Sequence, residues 1–158
     1  LWLNDAYDSI MKYVENGGNL LDQYNTNNRL GPGIAKMFPY ELEITRDRVT
    51  VEEAPVEILD KTSTLLNYPN KITSKDFENW IQERGIYFAG KRDAAWVSPI
   101  AMNDPGESSS NGSIVHAKHG QGNLVYTGLS FFRELPAGVV GAYRLLVNMI
   151  EIPQNNKK

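Results

Sequence analysis

Apolar residues recur at helical spacing near the start of the chain. Tyr7, Ile10, Met11 and Val14 fall at i, i+3, i+4 and i+7, one face of an amphipathic helix. Asn4 or Asp5 can cap it, and Asn16-Gly17-Gly18 ends it. The next segment, 19–24, reads as a strand, so helix, double glycine and strand form half of a βαβ unit. Leu42 with Ile44, and Val49 with Val51, alternate with polar residues as two short half-exposed strands do. Thr73-Ser74-Lys75-Asp76 reads as a capping box before Phe77, Trp80 and Ile81, with that helix stopping at Gly85. Segment 97–102 predicts a strand, and 103–112 a Pro-, Gly- and Ser-rich loop. Segments 113–118 and 123–127 predict two strands joined through His119-Gly120-Gln121-Gly122. A last helix is expected over 137–150, burying Val139, Tyr143, Leu146, Val147 and Ile150. The whole predicts an α/β domain over 1–152, with a mixed sheet flanked by helices and a polar tail at 153–158.

Composition narrows the chemistry. The chain has 158 residues, 22% of them charged and 41% hydrophobic, which is ordinary for a folded domain. Sixteen basic against nineteen acidic residues leave no positive excess to neutralise phosphates, so no nucleic-acid partner is expected. No apolar run of about 18 residues is present, so no membrane partner is expected either. The absence of cysteine excludes a thiol nucleophile, a disulfide framework and cysteine-held metals.

The remaining candidates are weighed residue by residue. His116 and His119, three apart across a strand and its turn, point in different directions and do not make a zinc pair; a surface strand and turn accounts for them. Glu41 with Glu43, and Glu52 with Glu53, read as a solvated strand face. Gly128-Leu129-Ser130-Phe131-Phe132 lacks the second glycine of a nucleophile elbow. Gly120-Gln121-Gly122 joins two strands and is turn chemistry rather than a phosphate loop. Trp80, Gln82, Glu83, Arg84 and Tyr87 combine aromatic faces with planar polar groups, which suits a sugar or a carboxylate. The alternative is that Trp80 is core and Glu83 and Arg84 form an internal ion pair. Arg133 and Arg144 either join such a site or cap carbonyls.

Five stretches together resemble one family. They are Tyr13-Val14-Glu15-Asn16-Gly17-Gly18-Asn19-Leu20, Asp47-Arg48-Val49-Thr50-Val51-Glu52, Asp76-Phe77-Glu78-Asn79-Trp80-Ile81-Gln82-Glu83-Arg84-Gly85, Asn103-Asp104-Pro105-Gly106-Glu107 and Tyr126-Thr127-Gly128-Leu129-Ser130-Phe131-Phe132-Arg133-Glu134-Leu135-Pro136-Ala137-Gly138. Over about residues 2–150 the chain resembles the C-terminal region of large bacterial LmbE-like (PIG-L family) deacetylases. The resemblance implies a flavodoxin-like, class I glutamine amidotransferase-like fold of the ThuA-like kind, missing its N-terminal strands. It places the amidotransferase elbow at Tyr24-Asn25-Thr26-Asn27, which has no cysteine. The His-x-Glu pair is absent too, since Lys118 follows His116 and Gln121 follows His119. The family's zinc motif, of the His-Pro-Asp-Asp type, is absent from this chain.

The resemblance therefore implies a domain with no catalytic residue, metal ligand or cofactor of its own. Zinc belongs to the N-terminal deacetylase domain of the parent, which becomes the partner, and such parents look exported. The leading expectation is a non-catalytic accessory domain binding carbohydrate through Trp80, Gln82, Glu83, Arg84 and Arg133, with Tyr24 and Asn25 at the degenerate elbow. Open α/β sheets bind ligands beyond the carboxyl ends of their strands, which supports the elbow. A second expectation is a structural module for interdomain packing, or for homo-oligomers through an exposed sheet edge. It predicts Trp80 and Arg84 buried and mutually satisfied beside an exposed apolar patch. A third is an enzyme using Glu83 or Glu107 as acid–base catalyst in a cleft.

Overall fold

The computed structural model describes residues 2–25 and 37–155, with side chains from residue 5 onward. The polar, turn-rich segment 25–33 reads from sequence as a loop; all of it beyond Asn25, with the elbow residues Thr26 and Asn27, and the last three residues of the tail lie outside the described residues.

Helix α1 (Trp2–Glu15) buries Met11 and Val14, and packs Tyr7 and Ile10 against the same apolar cluster. It ends in a Schellman arrangement. Gly18 N–H donates to the Tyr13 carbonyl (3.0 Å) and Gly17 N–H to that of Val14 (2.9 Å). Gly17 sits at φ +108°, where a side chain would be strained. The chain then enters strand β1 (Asn19–Gln23), which runs parallel to β9 (Gly122–Thr127), with Asn19 opposite Asn123 and Gln23 opposite Thr127. Strand β8 (Ile114–His119) pairs antiparallel with β9 through the tight turn at Gly120-Gln121. The sheet order is β1-β9-β8, so β9 is central, and all six of its residues are buried. Both a parallel and an antiparallel pairing are present, as the mixed α/β pattern requires.

Strand alternation sends β9 into two cores. Leu124 and Tyr126 face α1, whereas Val125 faces the opposite cluster with Leu145 and Met149 of helix α4 (Val140–Ile150). Three two-stranded antiparallel pairs surround the sheet. Strand β2 (Leu42–Ile44) pairs with β6 (Ala89–Arg92), β3 (Arg48–Val49) with β5 (Gly85–Ile86), and β4 (Val56–Ile58) with β7 (Ile100–Met102). Among the described residues, short helices α2 (Thr64–Asn67) and α3 (Phe131–Glu134) complete the elements, with one 3₁₀ turn (Ser74–Phe77). None of the helices among the described residues is long and apolar enough to cross a membrane.

Several boundaries move. The expected helix toward Gly85 ends after the single 3₁₀ turn. Asp76 Oδ2 caps Thr73 N–H (2.8 Å), but Glu78 is extended and Asn79 takes φ +61°. The strand expected at 97–102 is confined to β7, and Val97 makes only an isolated bridge to His116. The last helix begins at Val140, not at 137, because Gly138 at φ +76° interrupts it.

The buried face of α4 also differs from expectation. Val139 is buried and Leu146 half-buried, but Tyr143, Val147 and Ile150 are 47%, 40% and 50% exposed. Gly141, Ala142, Leu145, Asn148 and Met149 turn inward instead. Polar anchors set this rotation. Asn148 Oδ1 accepts Asn70 N–H (2.9 Å), while its Nδ2 donates to the carbonyls of Leu65 (2.8 Å) and Asn70 (2.7 Å). Arg144 Nε donates to Asp76 Oδ1 (2.7 Å) and Nη2 to the Lys71 carbonyl (2.8 Å), so Arg144 is a packing anchor here.

Candidate functional site

Strands β1 and β9 end side by side, and the segments leaving them carry aromatic rings. Tyr24, directly after β1, continues the ladder by donating its N–H to the Thr127 carbonyl (2.8 Å). Phe132 lies on α3 beyond β9, and Tyr87 lies between β5 and β6. The Tyr24 ring meets Phe132 edge-on at 4.8 Å and Tyr87 at 5.2 Å. Phe132 is 51% exposed, and the Arg133 guanidinium lies over its ring at 5.0 Å. Arg133 Nε donates to Glu83 Oε1 (2.9 Å), and its Nη1 donates to Gln82 Oε1 (2.5 Å). Asn25 is half-buried at the rim, with its Nδ2 3.4 Å from Asp22 Oδ2.

The backbone at this edge is unusual. Tyr24, Gln82 and Tyr87 take φ of +54°, +64° and +67° without being glycine. Glu83 N–H donates to the Ile81 carbonyl (2.7 Å), closing a three-residue turn centred on Gln82. Residues in sparsely populated conformations persist only where surroundings hold them, and such positions cluster at ligand sites. Here Glu52 Oε2 accepts Gln82 N–H (2.6 Å), and buried Glu134 Oε2 accepts Ile81 N–H (3.0 Å). Tyr126 donates its hydroxyl to the Tyr87 carbonyl.

Burial sets the electrostatics. It pushes Glu134 up from the usual carboxylate range, against the pull of Ile81 N–H, the Ser130 hydroxyl and Arg84. It also raises Asp22, against the Asn25 amide. Tyr24 rises through burial and the neighbouring Glu83, with Arg133 opposing.

The structure brings together Tyr24, Gln82, Glu83 and Arg133, with Asn25 beside them. Trp80 and Arg84 lie beneath, only 3% and 4% exposed. Trp80 stacks on Phe77 at 5.8 Å, contacts Phe131 at 6.0 Å and donates its indole N–H to the Asp76 carbonyl (3.0 Å). Its faces are thus occupied by protein. The expected Glu83–Arg84 ion pair is not formed. Arg84 donates instead to the carbonyls of Ala54 (2.8 Å from Nη2) and Phe77, and burial draws it down to about 10. Glu83 goes outward to Arg133, whereas Arg84 is drawn inward by those carbonyls. Phe132 and the supporting Glu52 and Glu134 were not expected from sequence. The Phe131-Phe132 pair carried the signal for Phe132, since adjacent helical positions cannot both face one core.

Ser130 is fully buried and donates its hydroxyl to the Glu83 carbonyl (2.9 Å). Glu107 is exposed and 3.6 Å from Arg48. Among the described residues no three His, Asp or Glu side chains converge as a metal group needs.

His116 is not on a surface strand face, as expected, but 8% exposed, with Nε2 2.9 Å from Asn123 Oδ1. Burial lowers its pKa from the usual 6.5, Lys118 on the same strand adds to this, and the Asn123 bond opposes it. Asp60, across the neighbouring cleft, is the acidic group nearby. The unfolded chain takes up this proton near pH 6.5, the folded one only at lower pH. Between those values the unfolded state binds more protons, so stability falls as pH drops below about 6.5 and is regained above it. Urea midpoints should therefore decrease from about pH 7 to about pH 5.5, and this component should vanish in His116→Gln. Equal pH slopes for both proteins would contradict it.

No protein-family model and no curated protein matches the chain. Among solved structures it is similar to "Cytoplasmic Protein STM3548 from Salmonella typhimurium", with a TM-score of 0.58 and 17% identity. The match covers 96% of this chain and 61% of that one. That likeness concerns the fold, and it agrees with a mixed α/β architecture spanning somewhat under two thirds of the other protein's length.

Proposed function

We propose that this chain is a non-catalytic accessory domain that binds carbohydrate at the carboxyl edge of β1 and β9. The observation that carries the reading is the half-exposed Phe132 ring beside a fixed fan of planar polar groups, Arg133 held by Glu83 and Gln82. A sugar ring offers apolar C–H faces to an aromatic ring, and vicinal hydroxyls to bidentate donors and acceptors. Glu83 and Arg133 neutralise one another, which suits an uncharged polyol. In this reading the fold is flavodoxin-like and amidotransferase-like, with the elbow at Tyr24 and Asn25 retained as a binding edge. The zinc-dependent chemistry would lie in the N-terminal domain of an LmbE-like parent.

Calorimetric titration with N-acetylglucosamine oligomers tests this. Saturable binding is expected, weakened about tenfold by Phe132→Ala and more by Arg133→Ala, which leaves Glu83 unpaired. Absence of binding by the folded protein, or unchanged affinity in both variants, would overturn it.

A second reading, an interaction module without ligand, has its own support. Trp80 and Arg84 are buried and satisfied, with the guanidinium 5.7 Å from the indole. Val140, Tyr143, Val147 and Ile150 form an exposed apolar stripe along α4. This reading commits to a second copy of the chain. Light scattering should then show a dimer that Val147→Asp dissociates, whereas a monomer at all concentrations would remove it.

A further inference from the structure

A cleft lies toward the other end of the β8–β9 hairpin, between the start of α2 and β8. It has a volume of about 400 Å³, within the range of small-molecule sites. Asp60, Ser63, Thr64, Val97, His116 and Lys118 are among its walls.

Hydrogen bonding fixes the tautomer of His116. Asn19 Nδ2 donates to the carbonyls of Ile150 (2.9 Å) and Ile152 (2.8 Å), so Asn19 Oδ1 must be an acceptor. Asn123 Nδ2 donates to that oxygen (2.9 Å) and to the Pro153 carbonyl (3.1 Å). Asn123 Oδ1 therefore faces His116 Nε2, which must carry the proton. The neutral ring then has a bare lone pair on Nδ1. That nitrogen has no partner among the described residues, and His116 forms part of the cleft wall. A side chain more than nine-tenths buried thus presents one unused acceptor to the cleft.

The other walls define what it can accept. Asp60 adds a carboxylate, whose Oδ1 already takes the Thr62 N–H (2.8 Å) and hydroxyl (2.6 Å). Lys118 adds an ammonium without a salt bridge among the described residues. Val97, 55% exposed, adds an apolar surface. Two acceptors, one cation and an apolar patch match a ligand with an ammonium, a carboxylate and a short apolar branch.

We propose that this cleft binds a small apolar α-amino acid, its ammonium on His116 Nδ1 and Asp60 and its carboxylate on Lys118. The inference does not rest on the carbohydrate reading, since it uses none of that site's residues.

The test is a titration of the 15N-labelled protein with L-valine, following the His116 ring nitrogens by NMR. Before addition, the spectrum should show the Nε2–H tautomer. Valine should then shift Nδ1 saturably. Asp60→Asn and Lys118→Gln, both at exposed positions, should each weaken binding about tenfold while leaving the Nε2–H signature intact. Isobutylamine and isovalerate, each lacking one charge, should bind about tenfold more weakly than valine. No Nδ1 shift up to about 10 mM valine, well beyond a millimolar Kd, would overturn the proposal. So would equal binding of isobutylamine, or parent-like titration of both variants.

Discussion

Replacing Asp104 with Ala is expected to lower the unfolding free energy by about 3–4 kcal/mol, read as a reduced urea midpoint at unchanged m-value. Asp104 is 6% exposed and lies in the loop after β7. Its Oδ1 accepts Val51 N–H (2.8 Å) and Thr50 N–H (2.9 Å), and its Oδ2 accepts the Thr50 hydroxyl (2.8 Å). One carboxylate thus holds the chain leaving β3 against the β7 side of the fold. Hydrogen bonds to a charged acceptor are worth about 1.5–3 kcal/mol each, and truncation leaves two backbone donors without their acceptor. Asp104→Asn keeps one acceptor oxygen and should lose about half as much. Burial works to raise the Asp104 pKa, but the bonds from Val51 and Thr50 outweigh it, and the net shift is downward from 3.8. The corresponding stabilisation is complete above about pH 3.8 and is lost as pH falls through the lower folded value. A midpoint for Asp104→Ala close to that of the parent would refute the clamp.

Gly141→Ala should cost about 3 kcal/mol or more, even though alanine is the better helix former by about 1 kcal/mol. A Cβ at Gly141 would stand 1.8 Å from the Asp76 carbonyl oxygen and 2.4 Å from its carbon. That carbonyl cannot retreat cheaply. It accepts the Trp80 indole N–H, while the Asp76 carboxylate holds Arg144 and caps the 3₁₀ turn. α4 would have to move off the turn, disturbing the Trp80 stack that underlies the aromatic edge. At roughly 2–4 °C per kcal/mol for a chain of this size, the melting temperature should fall by about 6–12 °C. Gly138→Ala, with nothing within 4 Å, is the control for backbone strain alone, because Gly138 sits at φ +76°. A Gly141→Ala melting temperature equal to the parent's would show that the turn and helix separate freely.

Helices α1 and α4 show how much is legible in the sequence. α1 carries one apolar face and one terminal glycine pair, so local spacing fixes both its burial and its end. The β8–β9 hairpin is equally local, with two apolar runs on either side of a short glycine turn. α4 is apolar on two faces, and periodicity alone admits either rotation. Gly141 and Asn148 choose, because only one rotation brings a bare Cα against the Asp76 carbonyl and an amide onto Asn70 and Leu65. Those partners are more than sixty positions away in sequence.

The candidate site divides along the same line. Segment 80–84 announces itself by its aromatic and charged side chains, and Tyr24 by following a strand end. Which of them face solvent is a matter of tertiary contacts. Phe77 and Phe131 enclose Trp80, and the Ala54 and Phe77 carbonyls draw Arg84 inward. Arg133, fifty positions along, meets Glu83 outside. By itself the chain's pattern determined the elements that close on their own neighbours: helix, cap, hairpin and the mixed sheet they imply. Only the tertiary structure decided which polar groups are buried. A buried donor or acceptor must find a partner wherever the packed chain supplies one, and that partner carries no local signal.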